Sequence, residues 1–273
     1  MIPISGMSSL LGLKMVDATQ NRQLELLQKE PRHSRAIQVF RERIADIETV
    51  DQLIADHEVY SFVMRAFDLE DQIFGKALIG KMLKSDVEDR KSLVNRLTDT
   101  RLKTMFETLG FEPGGEGNAN TTDRVWQERI VALYIDTQFV NAQGEQNTTV
   151  GIALEFRRKA SSIETGFDIL KDPEMSTFMR TILGFPKEMA QVDIDKQAKM
   201  FEAKYDFSKL QDPAEVERLI RRFVIVSDAL DGSALANNAA VQLISGTLGS
   251  LGDGTFVPAT IDITAISAIR GGY

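Results

Sequence analysis

The sequence contains no cysteine, two histidines and one tryptophan in 273 residues. Without thiols it has no disulfides, thiolate metal sites, iron–sulfur clusters or cysteine nucleophiles. No window supplies the roughly 18–20 consecutive apolar residues of a membrane-spanning helix. The longest uncharged stretch, Gly232–Gly252, is too rich in Asn, Ser, Thr, Gln and Gly for hydrocarbon. No basic stretch precedes the apolar residues near Met1, so no cleavable signal peptide is expected, and without a long apolar run no membrane insertion is expected. Positive charge is in deficit: 32 Lys and Arg face 40 Asp and Glu, for a net charge of −8 and a pI near 5.0. Such a chain meets nucleic acid with repulsion unless its cations gather on one face, so no nucleic-acid partner is expected.

The composition present, 43% hydrophobic and 26% charged, is that of a globular protein. Its clearest internal signal is self-similarity at an offset of 116 residues. Phe40–Phe62 lies without gaps on Phe156–Phe178, with eight of 23 positions identical, where unrelated sequences match at about one or two. Phe40-Arg41 pairs with Phe156-Arg157, Ile47-Glu48-Thr49 with Ile163-Glu164-Thr165, and Asp56-x-Glu58 with Asp172-x-Glu174. After a two-residue slip, Lys81-Met82-Leu83 matches Lys199-Met200-Phe201. The expectation is a mainly α fold of internally duplicated helical units, about four to five helices each. The units are residues 1–116 and 117–230, separated by the Gly-rich stretch 112–122. A low-charge C-terminal segment, 231–273, has only four charged residues in 43. There Ala234–Leu248 reads as helix, Thr255–Ile269 has partly strand-like alternation, and the segment either closes the core in cis or docks on a partner.

Within each unit the apolar residues follow a helical period. Val59, Phe62, Val63, Ala66 and Phe67 form one stripe, and Met175, Phe178, Met179, Ile182 and Leu183 repeat it. Asp56 and Asp172 are N-caps, Pro173 suits the first helical position, and Glu58 and Glu174 favour the first turn. Asp-x-Glu therefore reads as helix punctuation and not as a catalytic pair. Ser85–Glu88 and Asp212–Glu215 have the spacing of capping boxes. Asp123 opens a further helix whose run Val131–Val140 is β-branched enough for a strand, but its place ahead of the Phe-Arg helix favours helix.

Chemistry-bearing motifs are sparse. His33 and His57 lack metal-ligand spacing and read as solvated surface groups. No nucleophile elbow and no phosphate-binding loop occurs. Gly114-Gly-Glu-Gly117 reads as linker, and Asp228-Ala-Leu-Asp231-Gly232 as a helix end. Arg157-Arg158-Lys159 and Arg221-Arg222 read as salt-bridged surface. No residue is assigned a catalytic, cofactor-binding or metal-ligating role, and no cofactor is expected. An enzyme working through Asp and Glu would need a deep acidic cleft between the units.

The repeated residues, Phe40-Arg-Glu-Arg43, Ile47-Glu-Thr49 and Asp56-x-Glu58 with their second copies, resemble an alphaproteobacterial family of unknown function encoded in flagellar gene clusters and present here as two tandem copies. The resemblance covers about Met1 to Leu230. It implies a non-enzymatic, flagellum-associated structural or assembly protein with flagellar protein partners. The alternative is a cytosolic helical adaptor, chaperone or regulator of flagellar export or assembly. Cytoplasmic or flagellum-associated localisation follows from either.

Overall fold

The computed structural model describes residues 1–231, and the expectations for Ala234–Leu248, Thr255–Ile269 and the helix end at Gly232 lie outside them. Among the described residues there are helices and no strands. The first half carries α1 (Ser9–Lys29), α2 (Pro31–Arg43), α3 (Val50–Ala55), α4 (His57–Ala66), α5 (Lys76–Leu83), α6 (Leu93–Arg96) and α7 (Thr100–Leu109). The second carries α8 (Arg124–Gln146), α9 (Thr148–Lys159), α10 (Gly166–Leu170), α11 (Pro173–Leu183), α12 (Ile194–Lys204) and α13 (Pro213–Asp231). Setting aside the short α3, α6 and α10, each half has five longer helices. The β-branched run Val131–Val140 lies inside α8, where burial of Val131, Ile135, Phe139 and Val140 overrides local propensity.

The matched segments share local geometry. Thr49 and Thr165 each form a capping box, with Gln52 and Asp168. Asp56 and Asp172 each accept two backbone N–H bonds at the starts of α4 and α11. Arg43 pairs with Asp56, and Lys159 with Asp172. The stripes face inward as rings: Phe40 stacks on Phe62 at 4.5 Å and Phe156 on Phe178 at 3.7 Å. A third ring completes each stack, Tyr134 of α8 on Phe62 and Phe223 of α13 on Phe178.

The parallel extends to a correspondence at a different offset. Asp123, Glu128, Arg129 and Tyr134 of the α8 region stand where Asp212, Glu217, Arg218 and Phe223 stand near α13, 89 residues apart. Arg41 makes a two-pronged pair with Glu128, and Arg157 makes the same pair with Glu217. The N-terminal half of α8 thus closes the first half of the fold, while its C-terminal half forms a hairpin with α9. Residues 1–227 form one compact unit, so the 116/117 boundary divides the sequence and not the packing. The stretch 112–122 is non-helical, as expected, but it is packed: Gly115 accepts a hydrogen bond from the Val50 N–H, and Thr121 is buried.

Three local expectations fail for physical reasons. Ser85–Glu88 caps no helix: Asp86 bonds the Glu88 N–H within a turn, and the next full helix, α7, starts at the Asp99 cap. Asp212 does open α13, bonding the Ala214 N–H, but Glu215 takes the Tyr205 hydroxyl and Arg218 instead of closing a box. His33 is not solvated. It lies on the apolar stripe of α2 with Ile37 and Phe40, is 2% exposed, and its Nδ1 is 2.8 Å from the Tyr134 hydroxyl. His57 is exposed, as expected, and bonded to Ser61.

Two predictions follow from this packing. A Cβ on Gly151 would lie 2.5 Å from the Gly144 Cα across the α8–α9 hairpin, between two backbones that cannot yield locally. Gly151→Ala is expected to cost about 1–3 kcal/mol by urea denaturation, despite the gain in helix propensity. Burial, helped by Arg32, depresses the His33 pKa below 6.5. Below that value the unfolded chain takes up a proton that the folded state refuses, so stability falls on acidification. Between about pH 7 and pH 5.5, the urea midpoint of the native protein is expected to drop more steeply than that of His33→Gln.

Candidate functional site

A concave surface runs where the end of α4 and the start of α7 face α9–α11. It comprises adjoining grooves of about 470 and 430 Å³ that share Arg101, Lys159, Lys171 and Asp172. A further recess of about 380 Å³ continues past Asp68 and Glu174 to Glu155. This is the cleft between the halves in which acid–base chemistry would have to reside. It is mixed in charge, and most of its carboxylates are matched.

On the first wall, Asp68, two residues past the end of α4, is a non-glycine residue in the left-handed region at φ +58°. Asp is among the residues that tolerate this conformation. Its carboxylate accepts from Asn141 of α8, and its carbonyl accepts from Arg101 of α7. Arg101 also forks onto Asp99, the α7 cap. Burial pushes the Asp99 carboxyl up, but the Arg101 bonds outweigh it and hold it below the ordinary carboxylate range.

The second wall is built on Glu155 of α9, which is 4% exposed. Arg158 and Lys159, three and four residues on, approach it at 2.7 and 2.6 Å. Lys159 bridges to Asp172 at 2.7 Å, and Arg158 reaches Thr137 of α8, whose hydroxyl donates to the Ala66 carbonyl at the end of α4. A single polar chain therefore runs from α4 through α8 and α9 to the α11 cap. Burial alone would raise the Glu155 carboxyl, but its two cations keep it ionised below its usual range. Asp172 is held low in the same way by Lys159 and the backbone N–H groups of α11. The basic cluster Arg157–Lys159 is salt-bridged, as its sequence indicated, but it encloses a buried carboxylate where surface was expected. The spacing of Glu155 from Arg158 and Lys159 was the signal available for finding it.

Two carboxylates move the other way. Burial raises Asp136, which Arg158 only partly offsets. Glu174 is raised by partial desolvation against the cleft wall and by repulsion from Glu155 and Asp172. Among the described residues no group of three His, Asp or Glu side chains is arranged to hold a metal ion. No helix there is long and apolar enough to cross a membrane.

The sequence matches the family described as Protein of unknown function (DUF1217) over residues 66–216, more than half of the chain. The chain belongs to the DUF1217 family. The match begins at the end of α4 and takes in both walls of the cleft. A solved structure, protein AGR_C_984 from Agrobacterium tumefaciens, is similar to this one with a TM-score of 0.72 and 29% identity. The similarity covers 83% of this chain and 95% of that one. No curated protein matches. The DUF1217 assignment agrees with the expected family of unknown function.

The buried charge network can be tested by removing its centre. Glu155→Ala leaves two cations facing a desolvated gap and is expected to cost about 3–5 kcal/mol in urea unfolding. Glu128→Ala, which breaks the half-exposed pair with Arg41, is expected to cost about 0–1 kcal/mol. Because the Glu155 pKa is depressed below 4.5, its contribution is complete above that pH and declines as pH falls below it.

Proposed function

We propose that this protein is a non-enzymatic structural or assembly component associated with the bacterial flagellum, acting through protein–protein contacts. The observation that carries the non-enzymatic part is the cleft between the halves: its most buried carboxylates are held ionised by cations and tie helices together. A carboxylate neutralised by two basic groups has little basicity left for proton transfer. The flagellar part rests on the resemblance of the Phe-Arg, Ile-Glu-Thr and Asp-x-Glu repeats to a family encoded in flagellar gene clusters.

Fractionated cells, immunoblotted for the protein, test this reading. Enrichment with purified hook–basal bodies or in the culture supernatant is the expected result for a structural part. Confinement to cytosol, in stoichiometric complexes, moves the assignment to an adaptor or chaperone of export. Clean deletion of the gene is expected to alter flagellar number, hook length or swimming. Unchanged motility and flagellation would overturn the flagellar assignment.

A further inference from the structure

We propose that the groove between α3, α5 and α6 is a docking site for an acidic, partly apolar segment of a protein partner. The groove, of about 730 Å³, is walled by Lys76, Lys81, Lys84 and Lys91, and Asp51 is the one carboxylate among its lining residues. In a protein of net charge −8, this is a local reversal of sign. Lys84 is paired with Asp51 at 2.7 Å, and Lys76 donates to the Ile54 carbonyl and sits over the Tyr60 ring. Among the described residues Lys81 and Lys91 have no ion-pair partner, and both are exposed. Asp86 and Asp89 of the neighbouring turn accept from the backbone N–H groups of Glu88 and Lys91, and neither makes an ion pair with Lys81 or Lys91.

The shape of the groove follows from small residues on α5. A Cβ on Gly80 would lie 2.6 Å from the Ile54 Cδ1, so α5 lies close against α3 and the lysines stand along the rims. Half-buried Ile54 and Leu93 leave an apolar strip between them. Beside it, Leu78 is 44% exposed on α5, and Phe74, just ahead of the Gly75 cap, is 95% exposed.

Packing does not require a lysine at every one of these positions. The second half sets α12 against α10 much as the first sets α5 against α3, and there Glu202 stands in the place of Lys84 and bonds the Gly166 N–H, while Lys199 stands in that of Lys81. A carboxylate-rich segment with apolar side chains satisfies both features of the groove, free ammonium groups on the rims and aliphatic carbon between. A nucleic acid fits less well, because the acidic remainder of the protein repels an extended polyanion.

The inference rests on the reading of the protein as an interaction module but not on its flagellar assignment, so it is tested with purified full-length protein. The probe is a fluorescein-labelled, glutamate-rich amphipathic peptide, followed by anisotropy. Binding that weakens with added salt is expected. The double variant Lys81→Glu/Lys91→Glu is expected to lose about tenfold or more in affinity, and Lys81→Gln/Lys91→Gln less. Lys14→Glu/Lys29→Glu on α1 makes the same change in net charge and is expected to retain most of the affinity. Equal losses in the two charge-reversed variants would overturn the proposal. So would undiminished binding in Lys81→Glu/Lys91→Glu, no binding by the native protein, or tighter binding of single-stranded DNA or anionic phosphatidylserine vesicles than of the peptide. Circular dichroism of each variant checks that the exposed substitutions leave the fold intact.

Discussion

The packing of residues 1–227 depends on α8 serving both halves of one core. Its N-terminal half presents Tyr134 to Phe62 and Glu128 to Arg41, completing the ring stack and ion pair of the first half. Its C-terminal half approaches α9 so closely that a Cβ at Gly151 would lie 2.5 Å from the Gly144 Cα. A continuous helix rises about 1.5 Å and turns about 100° per residue, so the separation and rotation of these two contacts are fixed once α8 forms. Thr137, between them, ties the same helix to the Ala66 carbonyl.

That constraint gives the buried charges their role. Glu155, Arg158 and Lys159 lie where α9 leaves α8 and meets α11. Desolvating such ions is costly, and apolar groups of the same volume are often at least as stable. What apolar groups lack is direction. Arg158 is satisfied only with Glu155 and Thr137 in place, and Lys159 only with Asp172 at the head of α11. We therefore read the network as setting the register between helices that apolar contact alone would leave free to slide, and its ionised carboxylates as structural.

Much of this was legible in the sequence because the fold punctuates its helices with local signals. Asp56 and Asp172 cap the helices they precede, and the period of Val59–Phe67 and Met175–Leu183 identified the buried faces. What escaped was non-local. The likeness of the α8 and α13 regions sits at an offset of 89 and not 116, and its meaning appears only when Glu128 and Glu217 are seen on Arg41 and Arg157. His33 was misjudged by residue type, although its spacing from Ile37 and Phe40 placed it on an apolar stripe. Ser85–Glu88 shows the converse: a four-residue pattern gives a helix only if an apolar face follows that can be buried.

The sharing of α8 also orders events during synthesis. The chain emerges from the ribosome N-terminus first, and residues 1–116 emerge without the ring and carboxylate that complete their core. Phe62 and Arg41 wait for Tyr134 and Glu128. The hairpin that holds α8 needs α9 as well, so the first half gains its lasting partners only as the second begins to fold. Translation of this protein therefore has a stretch, between the end of α7 and the middle of α9, in which a nearly finished apolar face is uncovered. That is where a nascent-chain chaperone would find the most to hold.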